Sequence, residues 1–310
     1  MTITNEVQAL NIILKNFDND PASKEVQDKV VALAYQSPQA LTETYKAMDD
    51  TFSGRYIASD MMKEVFQDFR QSPANRNQFN NAVHNTAATL SAEHFRQMLD
   101  KPITDERDRV VFLTGSPGAG KTTSVMNDGK IHDDIHLIFE GQLANAHQNT
   151  ATTDKIKQAL DNGYRVEIIA VNPLPEQALE NTFKRFYDPN DGRGASIATM
   201  ARIQGNTYDG LKHLNEQFGD NIALTIIDKP HGNENAIKYT GWEHLDVLKS
   251  QGNEQEIKQR LETHLLHHYE QGNINHECFK QSAGSEERAR QLSSVDRPLI
   301  HNQSQQIGSG

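Results

Sequence analysis

The sequence predicts an α/β protein in three parts. These are an all-helical N-terminal domain over residues 1–105, a parallel sheet flanked by helices over 106–230, and a helical extension with a disordered tail over 231–310. Three observations carry this expectation. Short apolar runs at 110–114, 135–140, 165–171 and 221–228 alternate with helical patterns only after Arg109, as βαβ units require. Ahead of them, apolar residues recur at helical spacing instead. Finally, "GSPGAGKT" over 115–122 follows the first run directly and opens a helical stretch. That is the strand–loop–helix context in which G-x-x-x-x-G-K-[ST] wraps phosphate, so the sheet is read as the P-loop NTPase type.

The elements follow in order. Val7, Leu10, Ile13 and Leu14 form a helical stripe, and Ser23 caps a second helix running to Gln36. Ser37-Pro38 and Ser72-Pro73 are helix-start signals. Ser91 caps a further helix over 92–100, which Pro102 ends. After the polar connector 103–108 come the first strand, the glycine loop and a short helix, then the strand ending in Glu140. A helix near 153–162 is closed by Gly163. Strand 165–171, helix 175–186, a polar loop over 187–194, a long helix to Phe218 and strand 221–228 complete the sheet domain. Beyond it, 241–250 and 254–271 read as helical, and 301–310 as disordered.

Composition narrows the function classes. The chain of 310 residues carries a net charge of −11 and one cysteine, Cys278. Acidity argues against a general grip on nucleic-acid phosphates. No apolar run approaches the ~20 residues of a membrane span. "MTITNEVQAL" lacks the basic and apolar regions of a secretory signal. A lone thiol fits a reducing compartment, so the expected location is cytoplasmic.

The glycine loop specifies its own chemistry. Gly115, Gly118 and Gly120 let backbone N–H groups curl around an anion, and Ser116, Pro117 and Ala119 complete the curl. Lys121 supplies charge to the β- and γ-phosphates, and the Thr122 hydroxyl is placed for Mg²⁺, with Thr123 beside it. The expected ligand is therefore ATP or GTP with Mg²⁺. Glu140 ends the next strand, where ligands collect in open α/β sheets. Arg185 near a helix end and Arg193 in a Gly-flanked loop are candidates to clamp the transferring phosphoryl group, Arg193 as part of a lid.

Four stretches in order carry a family resemblance: "LTGSPGAGKTT", "HLIFEGQLAN", "ALDNGYRVEIIAV" and "ENTFKRFYDPNDGRGASIATMARIQGNTYDGLKHLNEQFGD". Over roughly 110–228 the chain resembles the zeta toxin family of small-molecule kinases. The resemblance implies a P-loop kinase sheet and phosphorylation of a nucleotide-like small molecule, with a UDP-amino sugar as the best-known acceptor, in a toxin-antitoxin setting. It implies that Lys121 and Thr122 bind ATP-Mg²⁺, that Arg185 and Arg193 neutralise the phosphoryl group, and that Glu140 sits on the substrate side. It also implies a strand after the glycine-loop helix that ends in an Asp, with a Phe-Arg nearby, the Asp acting as base. Only "SVMNDGKIHDD" separates Thr123 from the next strand. That gap holds no such strand and offers only the loop acids Asp128, Asp133 and Asp134.

Two functions follow. The retained Lys121, Glu140, Arg185 and Arg193 specify an ATP- or GTP-dependent phosphotransferase. The missing strand specifies a degenerate nucleotide-binding module that serves a protein partner. A polynucleotide kinase is disfavoured by acidity. The N-terminal helices are expected either to dock a partner or to restrain the sheet domain. His264 and His268 have i, i+4 spacing, but the sequence shows no matching ligand set, so no metal site is expected there. Trp242 and Tyr269 read as packing residues and Cys278 as an inert thiol.

Overall fold

In the computed structural model, residues 10–104, 106–127, 129–232 and 235–294 are described. The expected tail at 301–310 and residue Asp128 lie outside them. A six-stranded mixed sheet organises the molecule, its strands lying in the order 56–58, 135–140, 109–115, 165–173, 222–229 and 237–240.

Of the first expected helix, Val7 lies outside the described residues, and residues 10–17 are not helical. Ile12 enters the core, while Ile13 and Leu14 are exposed. The helical stripe is overridden because this stretch packs as an extended strap tied to α1 (Pro21–Gln36) by paired Lys15–Gln27 hydrogen bonds. Asp20, not Ser23, caps α1 by accepting from the Ser23 amide. Helix α2 (Pro38–Lys46) starts at its Ser-Pro signal, as does α5 (Pro73–Leu99). Between these lie β1 (Tyr56–Ala58), α3 (Ser59–Met62) and α4 (Gln67–Arg70).

Two expectations fail here. The all-helical region contributes a strand, β1, to the main sheet. The expected helices on either side of Ser91 are one helix of 27 residues. Ser91 is buried in its middle, because α5 must cross from the N-terminal bundle to the sheet without a break. Phe95, Met98 and Leu99 at its end pack on the sheet with Ile57, so one core runs across residue 105.

The sheet proper starts with β2 (Arg109–Gly115) and the five-residue helix α6 (Lys121–Val125). The gap that follows holds a two-residue-per-strand hairpin, β3 (Met126–Asn127) with β4 (Lys130–Ile131), which stays outside the main sheet. Strand β5 (Ile135–Glu140), helix α7 (Thr150–Asp161), strand β6 (Arg165–Pro173), helices α8 (Pro175–Tyr187) and α9 (Ile197–Phe218), and strand β7 (Ile222–Lys229) match the expected alternation. β1, β5, β2, β6 and β7 pair in parallel. Their sequences are near-continuous apolar runs because both faces are covered. Val110 and Phe112 face a cluster with α5, α7 and α9, and Val111 and Leu113 face the opposite cluster. Phe95, Phe112 and Phe139 meet with ring centroids 5.2–6.0 Å apart.

The C-terminal region is also not purely helical. β8 (Ile237–Thr240) adds antiparallel to β7 and ends the sheet. Residues 242–249 form a 3₁₀ helix, and α10 (Glu254–Glu270), α11 (His276–Ala283) and α12 (Glu286–Ser294) follow. These three helices share an apolar cluster with α8 and α9. Each appended region thus supplies one edge strand. No helix among the described residues is long and apolar enough to cross a membrane.

Candidate functional site

The glycine loop joins β2 to α6, and its shape is enforced from outside. Gly118 has φ +76° and Gly120 has φ +73°, a region that side chains with a Cβ disfavour. A Cβ on Gly118 would also stand 2.0 Å from the Ala178 carbonyl of α8. Asn181 of α8 donates to the Gly118 carbonyl at 2.9 Å, and Lys229 at the end of β7 donates to the Ala119 carbonyl at 3.1 Å. Lys121 donates to the carbonyls of Gly115 and Ser116. Thr123 and Ser124 donate to that of Gly120. Among the loop's own amides, that of Ala119 donates to the Ser116 carbonyl at 3.2 Å. The first amides of α6 carry no side-chain cap. Helix α6 is barely more than one turn, so its dipole adds little. Lys121 and the loop amides supply the attraction. Ser116 Oγ is buried and has no hydrogen-bond partner among the described residues.

The first acid of the site is held by a residue the sequence did not flag. Glu140 lies 3.3 Å from Lys121 Nζ and accepts from the Tyr56 hydroxyl at 2.6 Å. Tyr56 is on β1 and is fully buried. Burial, then the neighbouring Glu140, pushes its hydroxyl far above the ordinary tyrosine range, so it stays protonated and donating. Its oxygen also sits 3.1 Å from Thr122 Oγ1. Since the Tyr56 proton goes to Glu140, Thr122 is the donor in that pair. The Thr122 lone pairs remain for a cation. Glu140 is thus on the Lys121–Thr122 side of the cleft.

A second acid follows β1, the strand that carries Tyr56. Ala58 stands opposite Glu140 in the parallel register, and Leu113 flanks Glu140 on the other side. β2 runs on to Gly115, and Asp60 lies two residues past Ala58 in the first turn of α3. A cleft of about 440 Å³ opens at this edge, with Asp60, Lys121, Thr122, Glu140, Arg185 and Asp191 in its wall. The Asp60 carboxylate accepts from Lys63 at 2.6 Å, and 57% of its side chain is exposed. Enclosure by the cleft walls acts to raise its pKa, but Lys63, Arg193 and Arg185 outweigh that and hold it below the ordinary carboxylate range. Among the described residues, the strand that the resemblance implies after α6 is not in the main sheet; the edge beside β5 is taken by β1, which precedes the glycine loop in sequence and leads into the helix that carries Asp60.

The two arginines share one anchor. Arg185 donates to Asp191 at 2.9 Å, and Arg193 donates to its other oxygen at 2.6 Å. Burial would raise the Asp191 pKa, but Arg193 and then Arg185 hold it low. Arg185 lines the cleft, whereas Arg193 does not. Arg193 is 14% exposed and lies 3.9 Å from Glu64 and over the Phe69 ring. The loop around it is clamped. Gly192 packs on Pro73, and the Gly194 amide donates to Gln281 of α11, which in turn bonds Asn77. The expected lid loop is seated between the N- and C-terminal regions.

The described gap acids, Asp133 and Asp134, do not join the site. Asp134 pairs with Arg109 at 3.0 Å, at the opposite ends of the strands, and neither it nor Asp133 lines the cleft. Among the packing residues, Trp242 donates to the Ile222 carbonyl and Tyr269 stacks on Phe279. Cys278 is buried, which pushes its thiol up to about 11 and leaves it inert at neutral pH. The signal for the missed residues was short but present: "GRYIASD" is an aromatic and β-branched run after a glycine, ending at an acid. No protein-family model matches the chain, and no curated protein matches it either.

Proposed function

We propose that the cleft is a phosphotransferase site of the P-loop kinase type, taking ATP or GTP with Mg²⁺ and a small-molecule hydroxyl acceptor. The observation that carries this reading is the meeting, at one sheet edge, of Lys121, Thr122, Glu140, Arg185 and Asp60 in a single cleft. The loop amides and Lys121 seat the β- and γ-phosphates. The free lone pairs of Thr122 fit a bound Mg²⁺-nucleotide. Mg²⁺ would supply neutralisation of phosphate charge there. Glu140, fixed by Tyr56, pairs with Lys121 and, with Thr122, would help to hold that ion. Arg185 faces the transferring group.

Asp60 takes the acceptor side. The acceptor oxygen forms a bond to the γ-phosphorus, the bond to the β–γ bridging oxygen breaks, and the hydroxyl proton passes to the Asp60 carboxylate. A carboxylate held at low pKa is a weak base. Phosphoryl transfer accommodates this, because its loose transition state needs positioning and charge neutralisation more than early deprotonation. Lys63 fixes the carboxylate that would orient the hydroxyl.

The motif stretches resembling zeta toxins support a nucleotide-like acceptor, such as a UDP-amino sugar, and with it a toxin-antitoxin setting in the cytoplasm. A second reading, a nucleotide-binding module serving a protein partner, is favoured by one feature. The site's cations are already paired: Lys121 with Glu140, and Arg185 and Arg193 with Asp191. Incubating the protein with γ-labelled ATP or GTP, Mg²⁺ and a metabolite extract separates the two. A labelled small molecule made by wild type and lost in Asp60→Asn is expected. Nucleotide binding without any labelled product would sink the kinase reading and leave the module.

A further inference from the structure

Helix α8 presents two different faces. One meets the glycine loop through Ala178 and Asn181. The other meets α10, and there Glu180 Oε1 lies 2.9 Å from His264 Nε2 and 3.6 Å from His268 Nε2. One ligand atom from each of the three residues falls within 4.8 Å of the others, and all three residues are partly buried. We propose that Glu180, His264 and His268 form a binding site for a divalent transition metal of the zinc class, which joins α8 to α10.

The donor set argues for that class. Two imidazole nitrogens and one carboxylate oxygen suit zinc and its neighbours, whereas calcium and magnesium take oxygen ligands. A tetrahedral ion with bonds of about 2.0–2.2 Å places its ligand atoms roughly 3.3 Å apart. The two Glu180 distances, 2.9 and 3.6 Å, bracket that separation. His264 and His268 stand one turn apart on α10, their ring centroids 4.6 Å apart, so one backbone segment presents both. A single carboxylate oxygen facing two imidazoles is also more than a hydrogen bond between Glu180 and His264 requires.

The surroundings support the ligands. The His268 ring packs at 5.4 Å on Phe183 of α8, which limits its orientation. Burial, and then His264, lowers the His268 pKa, which favours the neutral ring that metals need. An open cleft beside Glu180 and His268 gives solvent a route to a fourth position. The spacing of the histidines was visible in the sequence, but the third ligand lies 84 residues from His264 and only the α8–α10 packing reveals it. An ion here would pin the helix whose other face shapes the glycine loop.

The test uses the tag-free full chain stripped of metal with a chelator. Cobalt(II) titration should saturate at one equivalent and give the visible ligand-field absorption of a four-coordinate site. Zinc should displace the cobalt and raise the melting temperature. His268→Ala and Glu180→Gln should each lower zinc affinity at least tenfold at unchanged helical circular dichroism, while His267→Ala should not. Glu180→Gln keeps the test valid if His268→Ala fails to fold, because it conserves shape. Absence of stoichiometric binding, wild-type affinity in Glu180→Gln, or an equal loss in His267→Ala would each overturn the assignment.

Discussion

The two walls of the cleft are built on opposite plans. The glycine-loop wall is one contiguous stretch, Gly115 to Thr123, and backbone geometry shapes it. Gly118 lies against the Ala178 carbonyl, and Asn181, Lys229 and Lys121 occupy the loop's own carbonyls. The facing wall is assembled from Asp60, Arg185 and Asp191, which are 125 and 131 residues from the first of them. Side-chain ion pairs hold it: Asp60 to Lys63, and Arg185 and Arg193 to Asp191. The first wall can therefore be recognised from local sequence. The second depends on long-range packing and on the ionisation of a few carboxylates. Tyr56 joins them, since it touches Glu140 and Thr122 from the strand that leads to Asp60.

The largest expected effect breaks the comparison outright. The separate-domain reading of residues 1–105 predicts that 106–310 folds and binds nucleotide alone. The structure predicts the reverse. Truncation removes edge strand β1, two of the three ring contacts among Phe95, Phe112 and Phe139, and the Tyr56 support of Glu140. Losing Phe95 alone is expected to cost about 3–5 kcal/mol, a large share of a typical domain's stability of roughly 5–15 kcal/mol. Circular dichroism and denaturant titration of the truncated chain check this. A cooperative, nucleotide-binding 106–310 fragment would show that the facing wall is dispensable.

Next in size is the acceptor wall itself. Asp60→Asn should lower any transfer rate by roughly 10²–10⁴ while leaving nucleotide affinity within a few-fold. Glu140→Gln should instead weaken Mg²⁺-nucleotide binding, because Glu140 sits with Lys121 and Thr122. Equal kinetic signatures for the two variants would erase the division into walls. On the glycine-loop side, Lys121→Ala should weaken nucleotide binding at least tenfold, about 1.4 kcal/mol, by calorimetry. Unchanged affinity would remove the phosphate-binding role.

The smallest effect is a pH dependence confined to the ionic wall. Asp191 has a folded pKa below its ordinary value because Arg193 and Arg185 bind its charged form. A depressed carboxylate contributes stability that is fully present above the ordinary value, near 3.9. That contribution is lost as pH falls through the folded value. Asp191→Asn should therefore lower stability at neutral pH and flatten the acid limb of a stability-versus-pH curve below about pH 4. A parallel acid limb in both proteins would show that the arginines do not act through Asp191.

Local sequence determined much of this protein. The Ser-Pro helix starts at α2 and α5, the glycine loop, and the parallel strands from β2 to β7 each carry their signal within a dozen residues. Propensity, capping and hydrophobic period act over that range. Three features were decided only in the tertiary structure. The 10–17 strap is extended although its apolar residues have helical spacing, because packing against α1 outweighs a marginal helix. Ser91 sits inside one continuous helix because α5 is buried on both sides of it. Most consequential is β1. Three residues cannot announce a strand by periodicity, and β1 is stable only because β5 offers an unpaired edge. Pairing with that edge puts Tyr56 and Asp60 beside a loop that begins more than 50 residues later in the chain. Sheet order depends on which edges remain to be paired, a property of the assembled fold that no local window of sequence contains.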